Sequence, residues 1–179
     1  MANPKRNRWT LVFYDMASER FTPRTRLHRE LKKQGAAMHS QSVYCIPYTA
    51  NSFKQLRHLD EEVCVVKADV PSEKIKELVT AYDAFAEKLF AEVVEKIDAL
   101  EDAKILAAGN EPSRKRGYSK RLNKMHERID HLMRVAKLRD SSRLLKRVKA
   151  LRARVDLIEH APPGTLIDWE NALVQELDN

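Results

Sequence analysis

At Pro71 the spacing of the apolar residues changes, and that change limits the folds open to this chain. Before it, apolar residues come in short runs broken by turn and cap residues: "WTLVFYD" at 9–15, "SVYCIPY" at 42–48 and "EVCVVKADV" at 62–70. Runs of this length, rich in β-branched and aromatic residues, read as strands. After it, Ile75, Leu78, Val79, Tyr82, Phe85, Ala86, Leu89, Val93, Ile97 and Leu100 recur three and four apart. That is the period of a helix with one buried face. Strands first and helices afterwards make an α+β chain rather than an alternating α/β one.

Two helices lie between the strands. The first starts at Thr22-Pro23, with Thr able to accept a backbone N–H and Pro suited to the first helical position. Leu27 and Leu31 turn inward, Arg24, Arg26, Arg29, Lys32 and Lys33 cover the rest, and Gly35 ends it. The stretch "AAMHSQSVYCIPY" is a strand, bent or doubled, that buries Val43, Cys45 and Met38. Pro47 cannot donate to a ladder and marks its end or an edge. "NSFKQLRHLDE" is a second, short helix capped by Asn51 or Ser52. Strand, helix, strand, helix, strand over residues 1–70 is the split β-α-β order of a ferredoxin-like domain.

Residues 71–160 are expected to form a long antiparallel helical hairpin. Its first arm spans 72–106, and "AAGNEPSRKRGYS" is the connector. The second arm carries Leu122, Met125, Ile129, Leu132 and Ala136. After a break at "RDSS", where Ser141 can cap a restart, it carries Leu144, Leu145, Val148, Leu151, Val155 and Ile158. An intermolecular coiled coil would show the same stripes. Residues 161–179, opened by Pro162, Pro163 and Gly164, predict a short amphipathic helix that docks on the hairpin or on a partner.

Charge is segregated along the chain. Residues 1–60 hold 11 Lys/Arg against 4 Asp/Glu, and 61–110 hold 6 against 12. Residues 111–157 hold 16 against 5, and 158–179 none against 5. A block of net +11 exceeds what pairing with a −6 neighbour can neutralise, which points to a polyanion, most often nucleic acid. The plainer alternative is a helix face whose charges pair with the acidic helix.

Other chemistries find little support. Cys45 and Cys64 form no CxxC pair and read as buried thiols. His28, His39, His58, His126, His131 and His160 make no HxxxH or HExxH spacing, and no Cys/His cluster marks an ordinary zinc site. Neither a dinucleotide fingerprint, a phosphate loop nor a nucleophile elbow is present. No apolar run approaches the length of a membrane span, and the N-terminus lacks a signal-peptide core, so a cytoplasmic location without membrane contact is expected.

"WTLVFYDM", then a Pro-started basic helix with "RxxLHRELKKQGA", then "SVYCIP", resembles two related groups. One is the small CRISPR-associated adaptation protein, a ferredoxin-like dimer whose first strand ends in an aspartate. The other is the N-terminal domain of the ChrB-type chromate-resistance regulators, with the related C-terminal domain of phenylacetate-operon repressors. The ChrB-type likeness extends past residue 70, to a long acidic helix and a broken Arg-rich helical stretch. In the adaptation group the matching aspartates of two subunits meet at the dimer axis and bind a divalent ion. Asp15 is the position that would carry this over, as a catalytic and metal-binding residue for Mg2+ or Mn2+. Otherwise Asp15 caps its loop or pairs with Arg20 or Arg24, and Glu19 is its only acidic neighbour.

The basic sets carry the leading expectation, a non-enzymatic, homodimeric regulatory or architectural protein on duplex DNA that needs no cofactor. Candidates for phosphate contact are Arg24, Arg26, Arg29, Lys32 and Lys33 in the first helix. Arg114, Lys115, Arg116, Lys120, Arg121, Lys124 and Arg128 follow the connector, and Arg143, Lys146 and Arg147 lie further on. Tyr118 is the only aromatic among them, which favours duplex backbone over stacked single strands. The alternatives are a metal-dependent endonuclease using Asp15 at a dimer axis, and a subunit whose basic helix meets an acidic protein.

Overall fold

The structure is a computed structural model that describes residues 7–15, 21–107 and 112–160. The element order is β1 (Arg8–Tyr14), α1 (Phe21–Lys33), β2 (Ala37–Ser40), β3 (Val43–Pro47), α2 (Ala50–Leu56) and β4 (Val63–Asp69), then α3 (Ser72–Ala107), α4 (Pro112–Arg139) and α5 (Ser142–His160). The four strands form one sheet in the order β2-β3-β1-β4, and every neighbouring pair is antiparallel. α1 therefore carries the chain from β1 past β3 to β2, the split crossover expected of a ferredoxin-like domain. The chain divides into two compact units, Met1–Glu87 with Lys137–Asp140, and Lys88–Ala136 with Ser141–Asn179.

In the first unit, alternation sets the two faces of the sheet. Val12 and Tyr14 of β1, with Tyr44 and Ile46 of β3, are buried, as are Leu27 and Leu31 of α1 and Leu56 of α2. The first turns of α3 bury Leu78, Tyr82 and Ala86. Tyr82 meets Trp9 of β1 edge to face, with ring centroids 5.8 Å apart. Helical residues beyond position 70 thus complete the core of the sheet-bearing unit. The α4–α5 corner belongs to this unit as well, where Arg139 grips Asp83 through Nε at 2.6 Å and Nη2 at 3.2 Å.

Several local expectations need correction. α1 begins at Phe21, so Pro23 sits inside the first turn, where no amide is needed for the helix ladder. The cap of α2 is Thr49, whose hydroxyl accepts the Ser52 N–H at 3.0 Å. The "AAMHSQSVYCIPY" stretch, expected bent or doubled, is doubled into β2 and β3, with a bulge between Met38 and Ser40. Met38 and Cys64 are exposed, because β2 and β4 are the edge strands, whereas Cys45 on β3 is fully buried. Burial pushes the Cys45 thiol up to about 12. The expected connector is already helical from Pro112, and Gly117 lies in that helix with open space beside it.

Gly35 (φ 84°) closes α1: the Ala36 N–H reaches back to the Leu31 carbonyl at 3.0 Å. Asp140 (φ 54°) closes α4 in the same way, with the Ser141 N–H on the Ala136 carbonyl at 3.3 Å. Ser141 then caps α5, its hydroxyl accepting the Leu144 N–H at 3.3 Å.

His28 ties α1 to β1. The Tyr14 hydroxyl donates to the Gln41 carbonyl, so its oxygen accepts from His28 Nε2 at 2.7 Å. Burial, then Arg24 and Lys32, hold the imidazole below its ordinary range. Because the folded value is depressed, this contribution is present above about pH 6.5 and is lost as the pH falls through the lower folded value. The urea midpoint should fall between about pH 7 and about pH 5, and fall less in His28→Gln. Equal falls in both proteins would remove His28 from the account.

In the second unit, Val93, Ile97 and Leu100 of α3, Leu122, Met125, Ile129 and Leu132 of α4, and Leu144, Val148, Leu151, Val155 and Ile158 of α5 are buried. Cross-links fix the directions. On α5, Arg147 meets Phe90, Arg154 meets Asp98 and Glu101, and Ile158 meets Lys104, so α3 and α5 run parallel. Arg152 meets Asp130 and Glu159 meets His126, so α4 runs antiparallel to α5 and hence to α3. The apolar stripes close within one chain, but as three helices and not the expected two-arm hairpin, because the chain reverses at Asp140 and α5 folds back along α4. The expected helix in 161–179 lies outside the described residues.

Candidate nucleic-acid interface

The basic residues of α4 follow from its periodicity. Leu122, Met125, Ile129 and Leu132 take the buried face, so Arg116, Lys120, Arg121 and Lys124 are left outside and Arg128 lies half-buried at the margin. Arg121, Lys124 and Arg128 (i, i+3, i+7) share one side of the helix. With Lys96 of α3 they line a groove of about 420 Å³ floored by Ala99, Leu100 and Met125. Four cations and no carboxylate face this groove. Among the described residues Arg121, Lys124 and Arg128 make no ion pair, and Lys96 has only Glu95, at 3.3 Å along its own helix.

The acidic helix does neutralise part of the basic block, elsewhere. Arg154 Nη2 donates to Asp98 Oδ1 and Glu101 Oε2, both at 2.7 Å, and its side chain is only 18% exposed. Arg152 pairs with Asp130. Arg147, a predicted phosphate contact, lies over the Phe90 ring at 3.9 Å and so packs the helices together. Arg143 and Lys146 are exposed on α5. The side chains of Arg114 and Lys115 lie outside the described residues.

On α1, Arg26, Arg29, Lys32 and Lys33 are exposed and Arg24 is half-buried. Lys33 donates to Glu30 at 2.9 Å. These cations belong to the first unit and the α4 groove to the second.

Asp15 follows β1 directly and is exposed. Among the described residues it forms no ion pair with Arg24 and joins no group of metal-ligating side chains; Glu19 and Arg20 lie outside them. Among the described residues the one such group is His126, Asp156 and Glu159, shared between α4 and α5. Sequence spacing missed it because its members come from two helices.

The remaining apolar exposure is on the sheet. Phe13 is 38% and Val66 40% exposed, on neighbouring strands, with Cys64 opposite Phe13 in the β1–β4 register. No helix among the described residues is long and apolar enough to cross a membrane.

No curated protein matches this chain. Residues 2–88 match the family model of the PaaX protein central Cas2-like domain, a stretch that ends one residue past the sheet-bearing unit at Glu87 and so gives the first half of the chain a Cas2-like, ferredoxin-like domain.

Proposed function

We propose that this chain is a homodimeric, DNA-binding regulatory protein that holds the phosphate backbone of a duplex with α4. The carrying observation is the groove of Lys96, Arg121, Lys124 and Arg128. Its cations stay free of carboxylate partners across the groove, while Asp98 and Glu101 of α3 are engaged by Arg154. Arg121, Lys124 and Arg128, without an ion pair among the described residues, suit a polyanion, and the groove lacks aromatic platforms for single strands. The matched domain supports regulatory DNA binding at the level of the family. A chromate-linked role rests on sequence likeness alone.

Dimerisation would cover the Phe13–Val66 strip, since apolar side chains on adjacent strands gain from a partner surface. Duplex binding at low salt, equal for unrelated sequences, is the first test, and its absence removes the proposal. Sedimentation should give twice the 20.7 kDa chain mass, and a monomer in Phe13→Asp; a wild-type monomer would refute the dimer.

The exposure of Asp15 at the end of β1 of a Cas2-like domain keeps a second reading, a metal-dependent endonuclease. DNA left intact with Mg2+ or Mn2+, or cut equally by Asp15→Ala, would end it.

A further inference from the structure

We propose that His126, Asp156 and Glu159 form a divalent transition-metal site, Zn2+ by donor type, that clasps α4 to α5. One ligand atom from each side chain lies within 4.8 Å of the others. A Zn2+ ion sits about 2.0–2.2 Å from nitrogen and oxygen ligands, which places those ligands roughly 3.5 Å apart. Small side-chain rotations close the present cluster to that spacing. His126 Nε2 already faces Glu159 Oε2 at 3.1 Å. Asp156 and Glu159, three residues apart, share one side of α5.

The charge around these residues sets them apart. Residues 111–157 carry 16 Lys/Arg, yet among the described residues neither Asp156 nor Glu159 pairs with any Lys or Arg. Lys104 and Tyr118, the polar groups beside them, turn instead to the Ile158 carbonyl. Among the described residues, two carboxylates and an imidazole are thus left to one another on two helices. One nitrogen and two oxygen donors suit Zn2+ and its first-row neighbours, whereas Mg2+ favours oxygen alone. Three protein ligands leave the fourth tetrahedral position for water.

The test uses the full chain, stripped of metal with a chelator and titrated with Zn2+ by calorimetry. The expected result is one ion per chain, no competition from Mg2+, and a rise in melting temperature with Zn2+. Glu159→Gln keeps the shape and should weaken binding by about 10–100-fold, as should His126→Ala. His39→Ala, on β2, should bind as wild type does. Circular dichroism separates lost binding from lost fold, and the isosteric Glu159→Gln decides if His126→Ala unfolds. Absence of Zn2+ binding, or binding unchanged in Glu159→Gln, would leave His126–Glu159 a simple ion pair and overturn the proposal.

Discussion

Arg121→Glu, Lys124→Glu and Arg128→Glu combined should lower affinity for duplex DNA by about 100-fold or more near 0.1 M salt. The estimate follows from counterion release: each phosphate contact contributes about 0.9 to the salt exponent, worth roughly eightfold at that salt, and three contacts multiply. Reversal adds repulsion to the lost attraction. The loss should be the same for unrelated duplexes, because backbone contacts position a protein without reading bases. The fold should survive, since the buried residues of α4, Leu122, Met125, Ile129, Leu132, Val135 and Ala136, are untouched. Lys54→Glu, at an exposed position of α2 in the first unit, should change affinity far less. An unchanged affinity in the triple variant, measured by fluorescence anisotropy, would move DNA contact away from α4.

Tyr82→Ala should destabilise the sheet-bearing unit by about 3–5 kcal/mol, the cost of deleting a large buried ring. Tyr82 is fully buried and edge to face with Trp9, joining α3 to β1. Tyr82→Phe should act in the opposite direction. The Tyr82 hydroxyl and the Trp9 indole nitrogen are buried with no hydrogen-bond partner among the described residues. Burial and the neighbouring Cys45 push the phenol far above its usual range. Removing an unsatisfied hydroxyl while keeping the ring should stabilise by about 1 kcal/mol. Urea unfolding of both variants checks this pair. A destabilised Tyr82→Phe would mean the hydroxyl has a partner, and a mild Tyr82→Ala would mean the ring is not central.

Much of the fold was legible because it depends on period. The uninterrupted β1, the glycine after α1 and the Ser141 restart are local signals that the structure keeps. What was not legible depends on long-range geometry. The burial of Cys45 and the exposure of Cys64 follow from strand order, central against edge, which alternation alone does not give. Pro112 and Gly117 read as a connector, yet Pro suits a first helical turn and a glycine facing open space is tolerated. The basic block was visible as charge. Its division was not: Arg154 and Arg152 are tied to acids, Arg147 lies on an aromatic ring, and Arg121, Lys124 and Arg128 border the groove. Likewise the His126 cluster brings together ligands that no local motif would pair.

The most direct test of the phosphate-binding account compares two slopes of log affinity against log salt, for wild type and for Arg121→Gln, Lys124→Gln and Arg128→Gln combined. Neutral glutamines remove charge without adding repulsion, so the slope counts phosphates released from contact. The variant slope should be shallower by about 2.7, close to 0.9 for each cation. Equal slopes, whatever the affinities, would contradict phosphate binding, because the groove cations would then neutralise no phosphate.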